Sequence, residues 1–110
     1  MEAPSERAPR VVLVTAPDAD TGRRLARLLV ERRIAACANL LTGLVSIYRW
    51  QGAVEEEAEV LLVIKTTADR VAALEALLAA EHPYDIPECV ALEPASVEDR
   101  YLEWLLGETA

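Results

Sequence analysis

The single histidine of the chain lies in a stretch of residues that could bind a metal ion or move a proton. Residues 81–89 read Glu-His-Pro-Tyr-Asp-Ile-Pro-Glu-Cys, and His82 is followed by Asp85, Glu88 and Cys89. One histidine with one or two carboxylates would form a weak, open site, because structural zinc needs a closed set of four ligands. The alternative is structural: His82 follows a predicted helix, and its ring can bond a free carbonyl group at the helix end.

The two cysteines give little support to nucleophilic catalysis. A catalytic cysteine needs a histidine within hydrogen-bond reach and a third group that orients it. Cys89 instead falls beside a predicted strand, and Cys37 lies in the alanine-rich run 35–38. Both positions are typical of small buried side chains. The sequence also has no glycine-rich phosphate loop and no serine-centred elbow. We therefore expect a protein that is not an enzyme.

The aromatic residues suggest a different kind of site. Tyr48 and Trp50 alternate along one predicted strand, so their side chains face the same side. Tyr84 lies in the histidine stretch, and Tyr101 and Trp104 lie about one helical turn apart near the C-terminus. Aromatic residues with a polar tip could line a cleft between subunits, or they could simply form interface contacts. Both interpretations stay open at this point.

Length, charge and hydropathy narrow the class of protein. The chain has 110 residues, a formal net charge of -8 and 53% hydrophobic residues, which predicts one domain with a real core. An acidic surface repels phosphate, so nucleic acid is not an expected partner. We found no apolar run long enough for a signal peptide or a membrane span, which predicts a cytoplasmic location and no membrane contact. Residues 1–9 are predicted to form a disordered N-terminal tail, and residues 10–107 are predicted to form a single domain.

Hydrophobic periodicity predicts the element order β-α-β-β-α-β-α, which is the split βαβ pattern of the ferredoxin-like α+β fold. The helices would lie on one face of an antiparallel sheet. The predicted elements are a strand at 11–15, a helix beginning near residues 18–21, a long hairpin at 36–67 that turns at Gln51-Gly52 with a bend at Thr42-Gly43, a helix that ends at Pro83, a strand at 89–92 and a short C-terminal helix at 97–106.

Two of the predicted strands are apolar on both faces. Residues 11–14 and 60–64 do not alternate between apolar and polar residues, as a strand with one solvated face should. The arms of the hairpin also exceed the usual strand length of about five or six residues. We therefore expect another copy of the chain to cover the second sheet face. The alternative is that the C-terminal helix covers part of it.

The motifs of the chain, taken together and in order, resemble those of the CutA divalent-cation tolerance proteins. The resemblance covers residues 11–106 and rests on Thr-Ala-Pro-Asp at 15–18, Ala-Ala-Cys-Ala-Asn at 35–39, Ser-Ile-Tyr-Arg-Trp-Gln-Gly at 46–52, Ile-Lys-Thr at 64–66, His-Pro-Tyr at 82–84, Pro-Glu at 87–88 and Tyr-Leu-Glu-Trp-Leu at 101–105. It implies a ferredoxin-like fold, a tight homotrimer formed through the long hairpins, and a link to tolerance of copper and other divalent metals.

The resemblance also implies roles for individual residues. His82 and Glu88 correspond to a histidine and a glutamate of the family and become the predicted ligands of a divalent metal such as copper(II), which is not expected to be tightly bound. Some copper-binding members carry a cysteine where this chain has Val14. As an alternative, a trimer similar to the PII signalling proteins would bind a small metabolite in clefts between subunits. The predicted cleft residues are Asn39, Tyr48, Trp50, Lys65, Tyr84, Tyr101 and Trp104.

Overall fold

The computed structural model describes residues 5–110 and has the predicted ferredoxin-like architecture. Its main elements are β1 (Pro9–Ala16), α1 (Ala19–Glu31), β2 (Cys37–Trp50), β3 (Ala53–Thr67), α2 (Val71–Glu81), β4 (Val90–Leu92) and α3 (Asp99–Glu108), with short 3-10 helices at Ser5–Arg7 and Ala68–Arg70. The four strands form one antiparallel sheet in the order β2-β3-β1-β4. Within residues 5–110, no helix is long and apolar enough to cross a membrane.

The hydrophobic core lies between α1, α2 and one face of the sheet. Alternate residues of β3 point into it, and Leu62 and Ile64 are completely buried. Leu61 and Val63, on the other face, are only half-buried. The apolar run in this strand therefore contributes side chains to both faces of the sheet, and the helices cover only one of these faces. α1 approaches the sheet closely at Gly22, where an added Cβ would lie 2.8 Å from Leu40 Cδ1.

The hairpin of β2 and β3 extends well beyond the rest of the sheet. β1 pairs with β3 only as far as the pair Ala16 and Val60, so residues 53–59 of β3 have β2 as their only strand neighbour in the described part of the chain. Gln51 and Gly52 form the predicted turn with φ values of 48° and 81°, as a two-residue turn of type I′ requires. The molecule measures 47 × 26 × 23 Å as a result.

A β-bulge interrupts the ladder between β2 and β3 at the predicted bend. Leu41 pairs with Leu61, and the next pair joins Leu44 to Glu59, so β2 holds one residue more than β3 over this interval. Gly43 lies within the bulge and has a φ of 82°, a conformation that glycine adopts without steric cost.

The structure orders residues 5–9, where the sequence predicted the end of a disordered tail. Arg7 accounts for the difference, because its guanidinium donates hydrogen bonds to Leu106 O at 2.6 Å, to Thr109 Oγ1 at 3.1 Å and to the carboxylate of Asp69 at 3.1 Å. These contacts join the first residues of the described chain to its last helix. Residues 1–4 of the predicted tail lie outside the described part of the chain.

Candidate functional site

His82 is part of a closed structural corner at the end of α2. It is 8% exposed, and its backbone N–H donates to Leu78 O. Its Nε2 lies 2.8 Å from Thr15 O, and its Nδ1 lies 3.0 Å from the backbone nitrogen of Tyr84. Because a carbonyl oxygen only accepts, Nε2 carries the proton and Nδ1 accepts from Tyr84. Both ring nitrogens are thus occupied, and this geometry does not fit the predicted role of His82 as a metal ligand.

The same corner brings Tyr84 to a buried carboxylate on β3. The Tyr84 hydroxyl donates to Glu59 Oε2 at 2.7 Å, and its ring lies 4.7 Å from that of His82. Burial raises the pKa of Tyr84, and the hydrogen bond to Glu59 raises it further. Glu59 is itself only 8% exposed. This contact connects the histidine corner to the base of the projecting hairpin.

From Glu59 a row of carboxylates continues along one face of β3 towards the hairpin turn. Glu55 and Glu57 follow at alternate positions, so all three side chains share that face. Tyr48 is the direct cross-strand partner of Glu55, and Trp50 lies two residues further along the same face of β2. Two of the predicted aromatic residues therefore stand beside acids that the sequence analysis did not single out.

Together these residues line a groove with a volume of about 570 Å³, hereafter the acidic groove. Its walls contain five carboxylates and three aromatic rings, contributed by Glu55, Glu57, Glu59, Asp85, Glu88, Tyr48, Trp50 and Tyr84. Among the described residues, neither lysine nor arginine lines it. Within residues 5–110, none of the five carboxylates forms an ion pair.

The concentration of negative charge changes the acidity of the groove residues. The pKa of Glu88 is raised because its carboxylate loses hydration and lies near the charge of Glu59. The pKa of Tyr48 is raised by loss of hydration and by the carboxylate of Glu57. Both shifts oppose additional negative charge in the groove, and a bound cation would relieve the repulsion.

The acidic groove is not a closed metal site. In the described part of the chain, no three histidine, cysteine or acidic residues come together in a way that could hold a metal ion. Of the two predicted ligands, Glu88 lines the groove, while His82 faces Thr15 and Tyr84 instead. The arrangement can place one or two carboxylates on a hydrated cation.

The remaining predicted cleft residues form a separate cluster. Lys65 Nζ donates to Asn39 Oδ1, and the rings of Tyr101 and Trp104 pack with their centres 5.4 Å apart on α3. Burial raises the pKa of Tyr101, and the proximity of Cys37 adds to the shift. None of these residues lines the acidic groove. Within one chain, the predicted cleft is therefore divided between two places.

The sequence did contain a signal for the missed glutamates. The run Val-Glu-Glu-Glu-Ala-Glu-Val at 54–60 places acids at alternate positions, and the turn at Gln51-Gly52 determines which of them face Tyr48. Cys89, by contrast, is placed as predicted, since it packs against the core. Burial raises the pKa of its thiol, with smaller effects from Glu75 and Glu88.

Comparisons with known proteins agree on a single family. The family model described as CutA1 divalent ion tolerance protein matches residues 10–108. The chain is 48% identical over 99 residues to the divalent-cation tolerance protein CutA of Thermus thermophilus, covering 90% of this chain and 96% of that protein. It is 41% identical over 104 residues to the Escherichia coli protein of the same name, covering 94% and 93% of the two chains.

Solved structures give the same result. The divalent cation tolerance protein of Thermus thermophilus matches with a TM-score of 0.90 at 47% identity, covering 93% of this chain and 99% of that one. CutA1 from Oryza sativa matches with a TM-score of 0.90 at 41% identity, covering 96% and 98%. The chain therefore belongs to the CutA1 divalent ion tolerance protein family.

Proposed function

We propose that the protein is a non-enzymatic homotrimer that binds divalent metal ions weakly in the acidic groove and thereby contributes to metal tolerance. The observation that carries this proposal is the composition of the groove, which has five carboxylates and, among the described residues, no basic side chain. Such a surface concentrates cations near it. The description of the family, divalent ion tolerance, points to the same class of ligand.

The few available ligands limit both affinity and selectivity. Oxygen ligands from one or two carboxylates would leave the other positions of the ion to water, because no group of three ligands assembles in residues 5–110. We expect a dissociation constant of about 10 µM or weaker. Copper(II) should bind more tightly than zinc, and zinc more tightly than manganese, since this order holds for most protein sites.

The exposed surface of the hairpin supports the homotrimer. Val45, Ile47 and Val54 lie on the face of the hairpin opposite the acidic groove and are 66%, 66% and 64% exposed. Light scattering should give a mass of about three times 12.1 kDa. Ile47→Glu should give monomers, because assembly would desolvate an unpaired charge. A wild-type monomer at micromolar concentration would contradict the proposed assembly.

Two adjacent glutamates offer a matched test of the metal site. Glu57 lines the groove. Glu56 lies on the other face of β3, where its cross-strand partner is Ile47. Copper(II) titration by calorimetry should show about tenfold weaker binding for Glu57→Gln, while Glu56→Gln, with the same change of charge, should bind like the wild type. Equal weakening in both variants would mean that copper responds to net charge rather than to the groove.

The pH dependence of binding follows from the raised pKa of Glu88. Protons compete with metal for a carboxylate. Because the pKa of Glu88 lies above the usual 4.5, copper affinity should begin to fall at a higher pH than it would at an ordinary glutamate. Glu88→Gln should remove this early part of the decline. An unchanged pH profile in Glu88→Gln would exclude Glu88 as a ligand.

A second candidate function is the binding of a small metabolite in a cleft between subunits, as in the PII-like alternative. The aromatic wall of Tyr48, Trp50 and Tyr84 favours it, and the volume of about 570 Å³ lies within the usual range for small-molecule sites. Assembly would have to bring the cluster of Asn39, Lys65, Tyr101 and Trp104 to the groove of a neighbouring copy.

The cytoplasmic location stays a prediction.

A further inference from the structure

The face of the sheet that α1 and α2 leave uncovered carries the only lysine of the chain, directly across from a cysteine. Lys65 lies on the same side of β3 as the half-buried Leu61 and Val63, because side chains alternate along a strand. Its cross-strand partner in β2 is Cys37, and both residues are half-buried. Cys37 is therefore not the buried core residue that the sequence predicted, whereas Cys89 does pack against the core.

A shared acceptor holds the amine and the thiol near each other. Lys65 Nζ donates to Asn39 Oδ1, and Cys37 Sγ lies 3.9 Å from the same oxygen. Because an N–H···O bond joins atoms about 3 Å apart, Nζ and Sγ lie within about 7 Å of each other. The side chain of Lys65 has a flexible four-carbon stem. Rotation about its bonds therefore suffices to bring the amine to the sulfur atom.

The amine of Lys65 is also free of an ion pair. Among residues 5–110, no carboxylate pairs with Lys65, and the side chain of its partner Asn39 is neutral. An adjacent carboxylate would favour the charged form of a lysine, and that form is not a nucleophile. The cluster therefore contains two nucleophilic groups in reach of each other, on a face that the helices do not cover.

We propose that Cys37 and Lys65 form a self-acylation site for thioesters of small carboxylic acids, in which the cysteine captures the acyl group and passes it to the lysine. The Cys37 thiolate attacks the carbonyl carbon of the donor, the bond from that carbon to the donor sulfur breaks, and the donor leaves as a thiol. The neutral amine of Lys65 then attacks the new thioester, its carbon–sulfur bond breaks, and Cys37 is regenerated as a thiol. One proton passes to solvent, and neither step oxidises or reduces any atom.

Proximity favours this route over direct acylation of the lysine. A thiolate is a strong nucleophile even where only a small fraction of the thiol is ionised, and the second step joins two groups that the fold already holds together. The product is an amide, and Lys65 loses its positive charge. Each chain reacts once, so the site requires no turnover. It goes beyond the proposed metal binding and does not rest on it, since neither Cys37 nor Lys65 lines the acidic groove.

The first test is incubation of the full chain with the S-acetyl thioester of N-acetylcysteamine, with the acetyl group located by peptide mass spectrometry. Cys37→Ala should slow acetylation of Lys65 by about tenfold or more, because the amine must then attack the free thioester. Cys89→Ala is the matched control and should leave the rate unchanged, since Cys89 packs against the core. Equal rates in the wild type and in Cys37→Ala would overturn the proposal.

Lys65→Arg separates the two steps, because arginine keeps the positive charge but is not deprotonated and so does not take the acyl group. Cys37 of this variant should retain the acetyl group as a thioester, which neutral hydroxylamine removes. In the wild type the acetyl group should instead lie on Lys65 and resist hydroxylamine. If Lys65→Arg carries no hydroxylamine-sensitive acetyl group, Cys37 does not capture the donor and the proposal fails. It fails equally if the wild type keeps the acetyl group on Cys37.

Discussion

The closed half of the sheet and the projecting hairpin are built from the same two strands, yet they differ in nearly every physical respect. In the closed half, residues 60–67 of β3 pair with β1, residues 61–65 also pair with β2, and α1 and α2 cover one face. In the projecting hairpin, residues 44–59, the two strands have only each other within the described chain. Leu62 is completely buried, whereas Ile47 is 66% exposed. The closed half therefore contains the buried core, whereas most of the hairpin surface is exposed within the described chain.

The largest expected effect tests this division directly. Leu62→Ala should lower the free energy of unfolding by about 2–5 kcal/mol, because it leaves a cavity in the core. Ile47→Ala should change the unfolding of the isolated chain by only about 0.5 kcal/mol. If the chain associates as proposed, Ile47→Ala should also reduce the dependence of the urea midpoint on protein concentration. Similar losses in both variants, independent of concentration, would break the comparison.

A second prediction concerns Arg7, whose hydrogen bonds join the first residues of the described chain to its last helix. Arg7→Ala should lower the free energy of unfolding by about 2 kcal/mol, because charge-assisted hydrogen bonds are lost and their acceptors are left unpaired. Arg10→Ala is the control, since the ion pair of Arg10 is with Glu93, whose side chain is 80% exposed. Its loss should cost less than about 1 kcal/mol. Urea denaturation of both variants measures the difference, and equal losses would contradict the role of Arg7.

The sequence predicted the parts of the fold that depend on neighbouring residues. Periodicity gave the order of strands and helices, and Gln51-Gly52 gave the turn, because both are local signals. The side chain of Asp18 caps α1 by accepting from the backbone nitrogen of Thr21, which agrees with the helix start predicted near residues 18–21. The Arg7 contact was not predictable in this way, since Arg7 and Thr109 are 102 positions apart.

The candidate site was predictable only in part, for a related reason. The placement of Tyr48 and Trp50 on the same face of the strand followed from strand geometry. The state of His82 did not, because its two ring nitrogens are occupied by Thr15 and Tyr84, and only the folded chain brings Thr15 to that corner. The hydrogen bond to Glu59 likewise comes from Tyr84, 25 positions away. Sequence spacing identified residues with suitable chemistry but not their partners.

The third prediction tests whether His82 has a structural role in the closed half rather than a role as a metal ligand. His82→Ala should lower the free energy of unfolding by about 1–2 kcal/mol, because two hydrogen bonds in a buried corner are lost. Copper affinity should remain within about twofold of the wild type, a change of less than about 0.5 kcal/mol. Asp85→Ala, an exposed change in the same corner, should leave stability unchanged. If His82→Ala instead weakens copper binding strongly with little loss of stability, the histidine is a ligand after all.

The smallest effect is expected at the hairpin turn. Gly52→Ala should lower the free energy of unfolding by about 1 kcal/mol, because a φ of 81° is unfavourable for a residue with a Cβ atom. Gly107→Ala is a matched control with the opposite expected sign, since Gly107 lies in α3 with open space around it and alanine favours helices by up to about 1 kcal/mol. Thermal denaturation of both variants would show whether the two shifts differ in sign.

The bulge at Thr42-Gly43 has a consequence for how this protein could change over evolution. Deletion of a single codon there would restore a regular ladder in which Leu41 still pairs with Leu61 and Leu44 with Glu59. Tyr48 would stay opposite Glu55, because the turn sets the register of residues 44–50. A bulge bends its strand and increases the local twist, so the deletion would redirect the hairpin while leaving the residues on each of its two surfaces unchanged.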